Sequence, residues 1–225
     1  MFVPALVYGA GWGIKEAVAA SLVIMIFSAA SGAFRSFRGE SPPDLKVAAT
    51  FALTVAPATL IGVAISSVSP GALVEVVFAC MLLSLAYPTF RRGSVKQDAP
   101  VRRMHPALAL LAGVGIGTLA GLVGIGGAAM MVPMMILGFG IAPKTAISTS
   151  LAVTVALATV GAVGYYFAGF HRVSGIPLLI VGSVCGAWFG VRLRERFSER
   201  FIQRSFAVFM VCVAIRVLLD ATGVL

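Results

Sequence analysis

Residues 3–33 are repeated at 132–162. At an offset of 129 positions and without a gap, Val132-Pro133 falls on Val3-Pro4, Gly138 and Gly140 fall on Gly9 and Gly11, and Lys144 falls on Lys15. The match continues with Ala146 on Ala17, Ser150-Leu151 on Ser21-Leu22, Ala158 on Ala29, and Gly161-Ala162 on Gly32-Ala33. These make 11 identities in the 31 positions from 3 to 33, several times what shared composition alone gives. After a one-residue gap the match resumes, with Gly62-Val63 on Gly190-Val191 and Phe78-Ala79 on Phe206-Ala207. The chain is an internal duplication, so it builds one structural unit twice and packs the copies together.

The unit is helical and membrane-embedded. With 60% hydrophobic residues, 11% charged residues and a mean hydropathy of +1.03, the chain has too little polar surface to cover a soluble globule. The first half reads as a short apolar, glycine-rich stretch, 1–14, followed by spanning helices at 15–34, 47–67 and 71–90. The second half reads as 33 apolar residues, 107–139, followed by spans at 144–168, 175–193 and 200–219. Thirty-three residues exceed one helix of roughly 20 and fall short of two. The Gly124-Ile125-Gly126-Gly127 break divides them, which predicts a helical hairpin.

The formal net charge of +9 does not point to nucleic acid, because the cations cluster in short loops between apolar runs. Those loops orient the two halves. Arg35, Arg38 and Lys46 lie between the first and second spans, whereas the loop from Ser66 to Gly71 carries no charge. In the second half the asymmetry reverses. The first loop carries only His171 and Arg172, and the second carries Arg192, Arg194, Arg196 and Arg200. If basic loops stay cytoplasmic, equivalent loops lie on opposite sides and the repeats are inverted. The expected fold is an all-α polytopic membrane protein of two inverted repeats. Its parts are a first repeat at 1–90, a basic cytoplasmic connector at 91–104 and a second repeat at 105–225. Inverted repeats with broken helices are a transporter architecture, with the substrate near the midplane.

Met1 aligns with Met130, so nothing in the given first half corresponds to 105–129, and the first repeat is expected to be truncated at its N-terminus. Either translation begins upstream, which is the expectation, or the protein works with an incomplete first repeat. The N-terminus lacks the basic region of a cleavable signal peptide.

Three groups of residues are candidates for the site. Glycines at 124, 126 and 127 can bare backbone N–H groups to a ligand, since no side chain blocks approach; close helix packing is the other reading, and it suits Gly113, Gly117 and Gly121 at spacing four. Thr149 and Ser150, with Ser21 in the mirror position, can donate to an anion near a helix start, or else bond back to their own helix. Lys144 and Lys15 are mirror cations that either draw an anion inward or snorkel to the interface. Glu75, in the first turn of its span, is either a proton-coupling group or an acid suited to a helix start. Arg216 and Asp220 read as an interfacial pair, and Trp12, Trp188, Tyr165 and Tyr166 as interfacial or packing aromatics. Cys80, Cys185 and Cys212 sit in apolar runs without metal-ligand spacing. There is no phosphate-binding loop, metal constellation or catalytic triad, so no catalytic residue, metal or cofactor is assigned and an enzyme is not expected.

At Gly121-Leu-Val-Gly-Ile-Gly-Gly-Ala-Ala-Met-Met-Val-Pro133, followed by Ala146-Ile-Ser-Thr-Ser-Leu151, the sequence resembles the TauE/SafE family of sulfite and organosulfonate exporters. Family members carry a G-x-G-G-G…V-P motif and an A-x-x-T-S-L motif in each half. Here Ala128 stands at the third glycine, Ala20-Ser21 replaces Thr-Ser, and His171 stands where an acid is common. The resemblance implies secondary transport of a small anion, such as sulfite, a sulfonate or a related sulfur oxyanion, across the bacterial inner membrane. It further implies export coupled to protons. The expected partners are the anionic substrate, the lipid bilayer and a second copy in a homodimer. A passive anion channel and a non-transporting scaffold are the alternatives.

Overall fold

The computed structural model describes residues 2–38, 42–91, 106–124, 126–139 and 141–170, and positions 177, 179–183, 186, 208, 211–217 and 219. Most of the connector 91–104, most of the spans expected at 175–193 and 200–219, and Asp220, Trp188, Cys185 and His171 lie outside the described residues. So do the side chains of Lys144 and Pro133.

The described residues are all-helical, without strands. A short α1 (Phe2–Pro4) runs into a π-helical turn, Ala5–Gly9. It is followed by α2 (Ile14–Phe37), α3 (Leu45–Val68), α4 (Gly71–Arg91), α5 (Pro106–Val123), α6 (Ala128–Phe139) and α7 (Pro143–Phe167). Among the described residues, three helices are long and apolar enough to cross a bilayer: α2, α3 and the Thr145–Phe167 part of α7. The boundaries have local causes. Asp44 caps α3, its carboxylate accepting from the Lys46 and Val47 N–H groups at 3.0 and 3.2 Å. Pro143 opens α7 at a position where its missing N–H costs nothing.

Packing fixes the helix directions. Gly32 of α2 faces Leu151 of α7, and Gly161 of α7 faces Leu22 of α2, so these helices run antiparallel. Gly113 lies against Thr54 and Val55, Gly117 against Val55 and Ala58, and Gly121 against Thr59, so α5 runs parallel to α3. Gly161 against Thr59 and Gly164 against Leu60 and Val63 set α7 parallel to α3 as well. The α2 end, α3 start and α7 start share one face, where the Asp44 N–H donates to Thr149 Oγ1 at 3.0 Å. At the other face, Lys15 Nζ donates to Ser67 O at 3.0 Å and lies 5.9 Å from the Phe170 ring centroid. Lys15 therefore sits at the C-terminal end of α3, where a cation is favourable, although it opens its own helix.

The α3–α5 contact is backbone against backbone. A Cβ on Gly62 would run into the Thr118 carbonyl, one on Gly117 into the Val55 carbonyl, and one on Gly121 into the Thr59 carbonyl. Lipid gives helices no hydrophobic reason to associate, so small residues that allow this approach supply the packing.

Candidate functional site

The α5–α6 boundary is made by three glycines. Gly124, Gly126 and Gly127 have φ of 71°, 81° and 63°, in the left-handed region that side chains with a Cβ rarely adopt. The space around them is equally restrictive. A Cβ on Gly124 would lie 2.7 Å from Ser21 Oγ, and one on Gly126 would lie 2.7 Å from both Met25 Cε and Sδ and 3.4 Å from Thr154 Cγ2. The break is thus clasped between α2 and α7, whose sequences align at the 129-residue offset. At an axial rise of 1.5 Å per residue, Met25 and Thr154 each lie about 17 Å from the starts of their oppositely directed helices, close to mid-depth.

Among the described residues, the break has buried donors without acceptors. All three glycines are buried. Gly124 N–H still donates to Ala120 O at 2.9 Å, but among the described residues no group accepts from the Gly126 or Gly127 N–H. Gly127 O is engaged by the Met130 and Met131 N–H groups, so α6 starts here and directs its N-terminal end into the break. A buried N–H without an acceptor costs roughly 1–3 kcal/mol, and a bilayer interior offers no bulk water to relieve it. An oxyanion or a water held at this point would.

Hydroxyls surround the same peptides. Ser21 Oγ is 3.1 Å from Gly124 O and 2.8 Å from Val18 O. Thr154 Oγ1 is 3.2 Å from Gly126 O and 2.8 Å from Ser150 O. Tyr165 OH donates to Gly121 O at 3.0 Å, one turn before the break. Ser150 is 1% exposed and its hydroxyl donates to Ile147 O at 2.8 Å. Thr149 is fully buried, but its hydroxyl donates to Thr145 O at 2.7 Å and accepts from Asp44 N–H.

Of the residues expected from sequence, the structure brings Gly124, Gly126, Gly127 and Ser21 together. Ser150 joins them through Thr154. The hydroxyl of Thr149 bonds instead to the loop before α3. Lys144 is at the start of α7, and its side chain lies outside the described residues. Glu75 lies apart, lining a small cavity with Val3, Pro4, Val7, Tyr8, Ile14, Phe78 and Val217. Arg216 lies with its guanidinium 5.5 Å from the Tyr8 ring centroid. Sequence reasoning missed Thr154 and placed Tyr165 among interfacial or packing aromatics. Tyr165 is fully buried and hydrogen-bonded. The signal for Thr154 was available, four residues beyond Ser150 on one helix face.

Comparison with known proteins bears on this geometry. The profile described as Sulfite exporter TauE/SafE matches residues 1–217. The chain belongs to the TauE/SafE family. It is 27% identical over 183 residues to the probable membrane transporter protein YdhB of Bacillus subtilis (strain 168), covering 80% of this chain and 74% of that relative. It is 25% identical over 223 residues to the probable membrane transporter protein YunE of the same organism, covering 89% of this chain and 78% of that relative. No solved structure matches the chain. This TauE/SafE protein is therefore a multi-pass membrane transporter of the bacterial inner membrane, working on a small molecule in a lipid environment, and not an enzyme.

Proposed function

We propose that this TauE/SafE protein is a secondary transporter of a small anion, either sulfite, a sulfonate or a related sulfur oxyanion, and that the anion sits at the glycine break. The observation that carries the reading is the pair of buried Gly126 and Gly127 N–H groups that have no acceptor among the described residues, near the middle of α2 and α7 and at the N-terminal end of α6. Gly124 shapes the break, Ser21 borders it, and Ser150 can turn its hydroxyl toward the anion. Thr149 contributes by fixing the loop before α3 to α7, and Lys144 stands at the cytoplasmic mouth. Proton-coupled export is part of the proposal, as are the division into 1–90, 91–104 and 105–225 and the homodimer.

Two inverted repeats, each with a hairpin arm returning to its own face, belong to the same reading. The support is reciprocity. Under the 129-residue offset Gly32 maps to Gly161 and Leu22 to Leu151, and the structure contains both the Gly32–Leu151 and the Gly161–Leu22 contact, between antiparallel helices. Interchange of partners between equivalent positions is what a two-fold axis in the membrane plane requires.

The test is uptake of labelled sulfite and of a short sulfonate panel into liposomes, with and without an imposed proton gradient. The wild-type protein should give saturable flux that protons drive against a gradient. Gly126→Ala, strained at φ 81° and crowded by Met25, should insert but lose most of that flux. Flux that no proton gradient can drive would make the protein a passive channel. No flux of any anion, or an unaffected Gly126→Ala variant, would sink the reading.

A further inference from the structure

A site that takes an anion out of water selects on how much charge the anion carries. The desolvation cost grows with the square of the charge, whereas the attraction of a fixed set of donors grows only in proportion to it. A dianion therefore needs a countercharge where a monoanion can be held by dipoles. The glycine break offers dipoles. Its donors are the Gly126 and Gly127 N–H groups at the N-terminal end of α6, an end that amounts to roughly half an elementary charge. Its walls are largely apolar, with the Met25 thioether against Gly126 and the Met131 methyl and Ile116 against Gly127. Carbonyls in the last turn of α5 have no helical donor, and each one left unpaired makes the potential at the break more negative.

Countercharges stand far from this point. α5 and α6 contain no ionisable residue. On α2, Met25 is ten residues from both Lys15 and Arg35, about 15 Å along the axis, and Glu16 follows Lys15. Lys15 Nζ is also held on Ser67 O, at the end of α3. On α7, Lys144 precedes Thr154 by ten residues, and Tyr165 and Tyr166 stand close to the other end, the first with its phenol on Gly121 O. Asp44 and Lys46 are at the start of α3, and Glu75 lines the cavity beside Val3 and Val217. In the remaining sequence the charges fall in the connector or at the ends of the last two apolar runs: His171 and Arg172, the cluster from Arg192 to Arg204, then Arg216 and Asp220. The middle of every apolar run is free of charge.

We propose that the site selects singly charged anions and rejects dianions, so that sulfite is carried as hydrogensulfite and sulfate is refused. This rests on the reading that the anion occupies the break. Half a charge from a helix end, without a cation nearby, can match one negative charge in an apolar setting but not two. The proton that lowers the charge of sulfite comes from water before binding, and no side chain at the break has to supply it.

The experiment measures KM for labelled sulfite and labelled methanesulfonate in liposomes containing the full chain, at equal pH on both sides, with the flux of protein-free liposomes subtracted. Hydrogensulfite loses its proton near neutrality, whereas methanesulfonate stays singly charged and sulfate doubly charged. Above neutrality KM for total sulfite should rise about tenfold per pH unit, as the competent form becomes the minor one, while KM for methanesulfonate stays within about twofold. Excess sulfate should not compete with either. A KM for total sulfite that does not change with pH, a parallel rise for methanesulfonate, or sulfate competing as well as methanesulfonate overturns the proposal, and robust flux in those cases leaves the site reading standing. Absence of flux for sulfite and sulfonate alike removes both.

Discussion

Ser150 and Thr149 are adjacent and equally buried, yet their hydroxyls have different surroundings. Thr149 has its proton on Thr145 O and its lone pair on the Asp44 N–H, a bridge from α7 to the residue that caps α3. Among the described residues the Ser150 hydroxyl bonds only within its own helix, to Ile147 O, and a rotation about χ1 releases it. Ser150→Ala should therefore raise KM for the anion severalfold and leave thermal stability close to wild type. Thr149→Val should do the reverse, lowering stability by about 1 kcal/mol, the worth of a buried hydrogen bond, with KM little changed. Thermal unfolding in detergent beside transport kinetics separates the two. Ser66 is a different case: its hydroxyl is fully buried beside the Tyr165 phenol and makes no well-formed hydrogen bond among the described residues. Ser66→Ala removes an unsatisfied polar group, so stability should be unchanged or higher by up to about 1 kcal/mol. A clear loss would mean that the hydroxyl has a partner, such as a bound water.

At the scale of the element, glycine has two separable uses in α5 and the break after it. Gly117 and Gly121 are there because the α3 backbone is against them, whereas Gly115, on the same helix, has no atom within 4 Å of where a Cβ would stand. Gly121→Ala should disrupt α3–α5 packing, costing about 3 kcal/mol or more because the obstacle is backbone that cannot yield. Gly115→Ala should be neutral or stabilising by up to about 1 kcal/mol, through helix propensity alone. Comparing their unfolding midpoints checks the assignment. Gly124, Gly126 and Gly127 owe their identity to positive φ as well as to space, so alanine is strained there on both counts. The spacing-four pattern of Gly113, Gly117 and Gly121 was readable as a packing face. Which neighbour it met was not, because a face carries no address.

At the scale of the whole molecule, the antiparallel crossing of α2 and α7 is what sets the surroundings of the break. In a background lacking Cys80, Cys185 and Cys212, paired cysteines at Leu22 and Gly161, and separately at Gly32 and Leu151, should cross-link readily. A pair at Leu22 and Leu151 should not, since these positions are offset by ten residues, about 15 Å along the axes. Cross-linking of that third pair, with neither of the first two, would refute the antiparallel arrangement. Much of this architecture was legible in the chain. Apolar runs of helical length fixed helix type, since a bilayer admits no unpaired backbone, and their boundaries were read to within a few residues for α2, α3, α4 and α7. The glycine run lies where α5 gives way to α6. Only the tertiary structure decided that α2 and α7 clasp the break, that Thr149 is bonded to a loop, that Lys15 caps the end of α3, and that Tyr165 and Thr154 hold its carbonyls. The reason is physical. Helix formation and membrane insertion depend on local spacing and polarity along the chain, whereas the partner of a hydroxyl or a carbonyl depends on which residues far away in sequence arrive within 3 Å of it.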